Sequence, residues 1–419
     1  MHGGAMNPRA ANGFLMNEIT AATDLLAKAA SQRSGIASFI VMDVMRAAAA
    51  REAAGHRVIH MEVGQPGTSA PKAARDAVKR ALDSDTLGYT MALGMPELRQ
   101  RIAGLYRTWY GLDIDPARVV VTSGSSAAFV LGFLTLFDQG ARVGLPSPGY
   151  PCYRQVLSAL GQKPVILETN AASRWMPTLA QVEQSIERDR LDGMLIASPA
   201  NPTGTMMEPD RLSAIARACR DRGVWFISDE IYHGLSYGLP DTTALSFSND
   251  AIVINSFSKY FSMTGWRVGW MVMPERLIPA VEKLAQNLYI SPPAVAQVAA
   301  IGAFDGIGEL EANKRVYRTN RDLLIAGLPA AGFDQLVPAD GAFYLYADVS
   351  RYTSDSLAFA KQMLEETNIA ATPGVDFDEA RGHKFLRFSY AGATADMAEA
   401  VERLKGWDRL HDKVRPPVR

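Results

Sequence analysis

A lysine becomes a nucleophile when it sheds its proton, and it does so when partly desolvated or set beside another cation. Lys259 is placed for both. It follows the apolar run Ala251-Ile-Val-Ile-Asn255, which reads as a buried strand. Ser256 and Ser258 flank it, and Arg267 comes eight residues later. Hydroxyls with a guanidinium suit a phosphate. An amine nucleophile beside a phosphate site points to an aldehyde cofactor with a phosphate handle, namely pyridoxal 5'-phosphate (PLP) held as a Schiff base.

Other stretches offer matching chemistry. The short apolar strand Val119-Val-Val-Thr122 runs into Ser123-Gly-Ser-Ser126 and then an apolar helix. A small-residue turn at a helix N-terminus exposes backbone N–H groups and suits an anion, with Ser125 and Ser126 as donors. The strand at 192–198 ends in Pro199-Ala-Asn-Pro-Thr-Gly204, and that at 224–228 in Asp229-Glu-Ile-Tyr232. Ligands of open α/β sheets bind at these carboxyl ends. An acid there, paired with a pyridine nitrogen, would keep it protonated and strengthen the ring as an electron acceptor. Arg387 stands among apolar neighbours in Phe385-Leu-Arg-Phe-Ser-Tyr390. Buried there it seeks an anion, because an unpaired charge is costly inside.

Ser-x-Ser-Lys followed by Gly-x-Arg-x-Gly resembles the lysine motif of class I/II PLP-dependent aminotransferases of fold type I. So do Tyr89-Thr…Leu98-Arg99, Pro148-Gly-Tyr-Pro-Cys-Tyr153, Asn201-Pro-Thr-Gly204 and Asp229-Glu-Ile-Tyr232. The resemblance spans residues 36–405 and implies a set of roles. Lys259 carries the cofactor and moves the proton, aided by Asp229 at the pyridine nitrogen and Tyr232 at the phenolic oxygen. Ser125, Ser126, Ser256 and Arg267 hold the phosphate. Tyr150 stacks on the ring, and Asn201 donates to the same phenolic oxygen as Tyr232. Gly64 lets the backbone approach the substrate carboxylate, which Arg387 clamps. Tyr89 reaches across to the phosphate of a second subunit, so a homodimer with shared active sites is implied.

The implied activity is transfer of an amino group between an L-amino acid and a 2-oxo acid by ping-pong kinetics. A PLP-dependent C–S β-lyase on the same scaffold is the alternative. A non-catalytic ligand-sensing module is a further one, disfavoured because no basic helix-turn-helix stretch lies before residue 36. The segment Leu284–Gln297, which resembles one that borders the neighbour's site, contains no Arg or Lys. A dicarboxylate substrate would want a cation there, so a neutral or aromatic one is expected.

These residues need a scaffold. The pattern predicts α/β architecture: a large domain over 72–308 with a mostly parallel seven-stranded sheet, and a smaller α+β domain from 36–71 and 309–419. An N-terminal arm over 1–35 is expected to be partly disordered, with an Ala-rich helix over 18–30. Strands are expected at 57–63, 119–122, 142–145, 164–168, 192–198, 224–228, 251–255, 267–273, 338–346 and 385–390. Helices are expected at 40–54, 72–83, 127–137, 208–222, 309–326 and 355–367.

Composition limits the remaining options. With 48% hydrophobic and 21% charged residues, the 419-residue chain has an ordinary soluble profile and can build more than one core. A formal net charge of −1 argues against a general nucleic-acid binder. Cys152 and Cys219 form no disulfide or zinc pattern. No histidine spacing suggests a metal; His60, His233 and His383 read as structural. No apolar run reaches the roughly 18 residues that span a bilayer. No signal-peptide core is visible, and Glu18 and Asp24 speak against a transit peptide, so a cytoplasmic enzyme is expected.

Overall fold

The computed structural model describes residues 30–411. Residues 30–37 belong to one compact unit and those from Ser38 onward to another. In the first, a single 3-10 turn forms over Gln32–Ser34. Of the arm expected over 1–35, residues 1–29 lie outside the described residues, and with them most of its expected helix.

The expected strand at 57–63 shrinks to β1 (Ile59–His60). Val58, Met61 and Glu62 are buried on both sides of it, so the apparent alternation reflects enclosure rather than a half-exposed strand. The main sheet takes the next strands: β2 (Val119–Thr122), β3 (Arg142–Ser147), β4 (Lys163–Glu168), β5 (Gly193–Ala197), β6 (Trp225–Asp229), β7 (Ile252–Ser256) and β8 (Gly269–Val272). Their order is β2-β8-β7-β6-β5-β3-β4. Only β8 runs against its neighbours, so the sheet is mostly parallel, as expected.

Successive residues of a strand point to opposite faces. Here both faces are apolar. Val119, Val121, Met194, Ile196, Phe226, Val253 and Trp270 join one core. Val120, Leu195, Ile227, Ile254 and Met271 join the other, with Phe129 and Phe133 of the helix Gly124–Leu136. A sheet covered on both faces leaves its strand ends as the place for a ligand. That helix starts three residues before the expected 127, so Ser125 and Ser126 lie inside its first turn.

A second, three-stranded sheet comes from the C-terminal part. It contains β9 (Tyr344–Asp348), β11 (Thr372–Pro373) and β12 (Phe385–Ser389), in the antiparallel order β11-β12-β9. Between them in sequence, β10 (Ile369–Ala370) pairs in parallel with β1. The strand expected to begin at 338 begins at Tyr344, because the preceding Gly341-Ala342 turns through a positive φ at Ala342. Register places Arg387 opposite both Thr372 and Tyr346. No described helix is long and apolar enough to cross a membrane.

Gln297, fully buried, ties the loop at 90–95 to the segment at 292. Its Oε1 accepts from the Met95 amide (2.7 Å), and its Nε2 donates to Thr90 Oγ1 (2.9 Å) and the Pro292 carbonyl (3.0 Å). Gln297→Leu strands those groups without partners, at a cost of about 1–3 kcal/mol. Urea unfolding should show a lower midpoint with an unchanged slope; an unchanged midpoint would refute this account.

Candidate active site

Strand ends β2, β5, β6 and β7 open onto a cavity of about 550 Å³. Its walls bring together Gly64, Ser125, Ser126, Tyr150, Asn201, Asp229, Tyr232, Lys259, Arg267 and Arg387. Two expected residues lie elsewhere. Ser256 sits beneath Ser258, its hydroxyl 2.8 Å from the Ser258 hydroxyl and 3.1 Å from the Val268 carbonyl, and it is Ser258 that faces the cavity. Tyr89 is 86% exposed and absent from the walls of its own chain's cavity.

Lys259 follows β7 in a tight loop. Its ammonium donates to the Gly64 carbonyl. Desolvation lowers its pKa to about 7, Arg387 and Arg267 push the same way, and Asp229 opposes them. Asp229 closes β6. Burial raises its carboxyl to about 6, while hydrogen bonds from Tyr153 and from the Ile231 amide (3.0 Å) hold it down. Near neutral pH the pair therefore consists of an amine close to its midpoint and an ionised acid.

One group of walls suits an anion. Ser125 and Ser126 stand in the first turn of their helix, with Ser258 and Arg267 on the same cavity. Gly124 has φ 78°, and a Cβ there would collide with the Arg267 guanidinium. The glycine thus makes room for the cation beside the free helix amides.

Arg387 forms another anion-seeking group. It is 2% exposed. Its Nη1 donates to Asn201 Oδ1 (2.8 Å), and its Nη2 to the Glu62 carbonyl and to Thr372 Oγ1 (3.1 Å). Its Nε has no partner, and it makes no ion pair among the described residues. A buried cation held only by neutral groups is a docking point for a carboxylate. With its oxygen engaged by Arg387, the Asn201 amide keeps its N–H groups for other acceptors.

The fold gives Gly64 a reason beyond the expected one. Its carbonyl receives Lys259, and a side chain there would run into the Tyr344 hydroxyl. Sequence reasoning missed Tyr344, whose hydroxyl lies 2.7 Å from that of Tyr232, and Tyr153, which donates to Asp229. Tyr153 sits three residues after Tyr150, one helical turn away, and that spacing was the available signal. Phe39, Val41, Met42, Met45 and Ile231 add an apolar wall. The first turn of the helix Ile40–Ala53 is fixed there by Asp376, whose carboxylate accepts from the Ile40 and Val41 amides (3.3 and 3.4 Å).

His233 is buried away from these walls, its ring nitrogens 2.6 Å from the Tyr110 hydroxyl and 3.0 Å from the Ser198 carbonyl. No group of metal-ligating side chains occurs among the described residues.

The family described as aminotransferase class I and II matches residues 56–404. The chain belongs to this family. It is 48% identical to the valine–pyruvate aminotransferase of Mycobacterium tuberculosis, over 90% of this chain and 97% of that one. A crystal structure of an aminotransferase from M. tuberculosis superposes with a TM-score of 0.89 at 47% identity, covering 91% of this chain and 99% of that one. Aspartate aminotransferase from Thermus thermophilus with maleate gives 0.85 at 29% identity, covering 90% and 99%.

An aminotransferase whose lysine titrates near 7 should show that value directly. The free base is the reactive form, so capture of an aldehyde by the cofactor-free protein should accelerate from pH 6 to pH 8 with a midpoint near 7. Growth of the visible absorbance on adding PLP measures it. A midpoint near the ordinary lysine value would show that Lys259 is solvated.

Proposed function

We propose that this aminotransferase uses PLP and moves the amino group of a neutral, apolar L-amino acid to a 2-oxo acid in a ping-pong cycle. The observation that carries this reading is the cavity shared by Lys259, whose pKa burial lowers to about 7, and Arg387, a buried guanidinium that makes no ion pair among the described residues.

The residues present fit PLP. Ser125, Ser126, Ser258 and Arg267, with Ser256 behind them, would hold the phosphate. Tyr150 would face the ring, Asp229 would pair with the pyridine nitrogen, and Asn201 and Tyr232 would donate to the phenolic oxygen. When bound, PLP supplies the electron sink for a carbanion at the substrate Cα. Arg387 would hold the substrate carboxylate by paired hydrogen bonds and so fix which Cα bond faces Lys259. Lys259 Nζ, once free, would be the base that takes the proton from the substrate Cα and the acid that then passes it on rather than restoring it to Cα.

Substrate class follows from the walls. The cavity's cations are Lys259, Arg267 and Arg387, and each has a task in this scheme. Among the described residues no further cation lines it, and Phe39, Val41, Met42, Met45 and Ile231 give the rest of its surface an apolar face, with Gln65 and Thr264 as neutral polar members. The 48% identical relative named for valine and pyruvate supports the same class.

We also propose that Tyr89 serves a second copy of the chain. Like Met91, Leu288 and Ile290 it is an exposed large apolar side chain, and the two segments that carry these residues meet where the Thr90 amide donates to Ser291 Oγ (3.4 Å). The same reading divides the chain into a large domain over 72–308 and a smaller one built from 36–71 and 309 onward.

An absorbance scan of the PLP-loaded protein with single amino acids and no acceptor tests the proposal. Valine should deplete the visible band at least about tenfold faster than aspartate, given the cost of leaving a carboxylate unpaired. Lys259→Ala should abolish turnover, and Arg387→Lys should raise KM about ten- to a hundredfold through loss of a bidentate, charge-assisted contact. Aspartate reacting as fast as valine would overturn the substrate class. A wild type that forms no visible band with PLP would overturn the whole scheme.

A further inference from the structure

Tyr344 is fully buried, lines the cavity and has no part in the scheme above. It opens β9 opposite Ser389, which makes it a diagonal neighbour of Arg387 across the β9–β12 pair. The Arg387 guanidinium carbon lies 4.4 Å from its ring centre, and the Phe377 ring is 4.8 Å away. The edges of the guanidinium are fixed by Asn201, Glu62 and Thr372, and these rings contact its face. The Tyr344 hydroxyl meets that of Tyr232 at 2.7 Å. Neither hydroxyl hydrogen-bonds to any other described group. Gly64 supplies the room, since a Cβ there would overlap the Tyr344 oxygen.

We propose that Tyr344 is a positioning residue that serves two partners with separate parts of one side chain. Its ring sets the plane in which Arg387 receives a carboxylate. Its hydroxyl donates to Tyr232, which frees the Tyr232 proton to point at the phenolic oxygen of the cofactor. This inference rests on the assignment of Lys259, Tyr232 and Arg387 given above.

The chemistry of the hydroxyl pair is directional. Burial pushes both phenols above their ordinary pKa, so both remain O–H, and in the pair one donates while the other accepts. A phenol that accepts a hydrogen bond becomes a better donor in turn. A stronger donor at the phenolic oxygen draws charge from it, and that charge is what retains the proton on the neighbouring nitrogen joined to Lys259. Removing the Tyr344 hydroxyl should therefore raise the pH at which that proton leaves. Removing the ring should loosen Arg387 instead, because a guanidinium over an aromatic face loses both attraction and alignment when the face is gone.

Three variants separate these parts. In the PLP-loaded protein, Tyr344→Phe keeps the ring and loses the hydroxyl. The pH midpoint of its visible band should rise by about half to one pH unit, the size of one net hydrogen bond. Its KM for valine should stay within about twofold, because the ring contact is intact. Gly64→Ala, whose methyl takes the place of the hydroxyl, should move the midpoint the same way. Tyr344→Leu should also raise KM about tenfold, within the range of a desolvated cation–π contact. A Phe variant with the wild-type midpoint, or a Leu variant with the wild-type KM, would overturn the proposal. A wild type with no visible band would instead remove the assignment beneath it, so the two failures are distinguishable.

Discussion

Arg387 brings its guanidinium into the interior and makes no ion pair there among the described residues. Much of the site is arranged around that imbalance. Asn201, Thr372 and the Glu62 carbonyl supply neutral acceptors, which ease the cost of burial without cancelling the charge. The uncancelled field reaches Lys259 and, after desolvation, is the largest influence lowering its pKa. A carboxylate that docks on Arg387 neutralises this field, so binding at one wall feeds back on the protonation of the amine at another.

Asp229 balances that field. Its burial alone would favour the neutral acid, and the hydrogen bonds from Tyr153 and Ile231 keep the ionised form accessible. Both groups are thus held near neutrality by opposing terms. Desolvation discharges the lysine while the acid recharges it; desolvation discharges the acid while its donors restore it. A structure that exposed either group to water would return that group toward its ordinary value.

The sheet was readable from the chain because its strands are short, apolar and bounded by small residues, as at Val119–Thr122 and Ile252–Ser256. Asp229, Tyr232, Lys259 and Arg387 stood out because a polar group beside an apolar run is conspicuous. Tyr344 and Tyr153 did not, since an aromatic residue among aromatic residues looks like core until its hydroxyl partner is seen. Gly64 was noticed for its backbone freedom, yet its neighbour Tyr344 lies 280 residues away in sequence and no local pattern encodes that contact. Boundaries slipped where the periodicity was ambiguous: residues 57–63 are buried nearly throughout, so apolar spacing said little about where pairing stops. Whether Tyr89 meets a partner is a question about a surface, and surface residues carry the weakest pattern of all.

The reversed strand β8 has a consequence for how the site withstands motion. Because β8 runs back along β7, with Ser256 opposite Gly269, Lys259 and Arg267 both belong to the loop of one hairpin. That loop is laced internally: the Phe257 amide donates to Val268, Ser262 to Lys259, and Met263 to Phe257, at 3.2, 3.1 and 3.0 Å. Lys259 and Arg267, the proposed nucleophile and phosphate anchor, thus share one internally braced loop. Were the walls that carry Arg387 or Phe39 to shift, the spacing between these two proposed points of cofactor attachment would stay set by the hairpin alone, as a handle and blade move together.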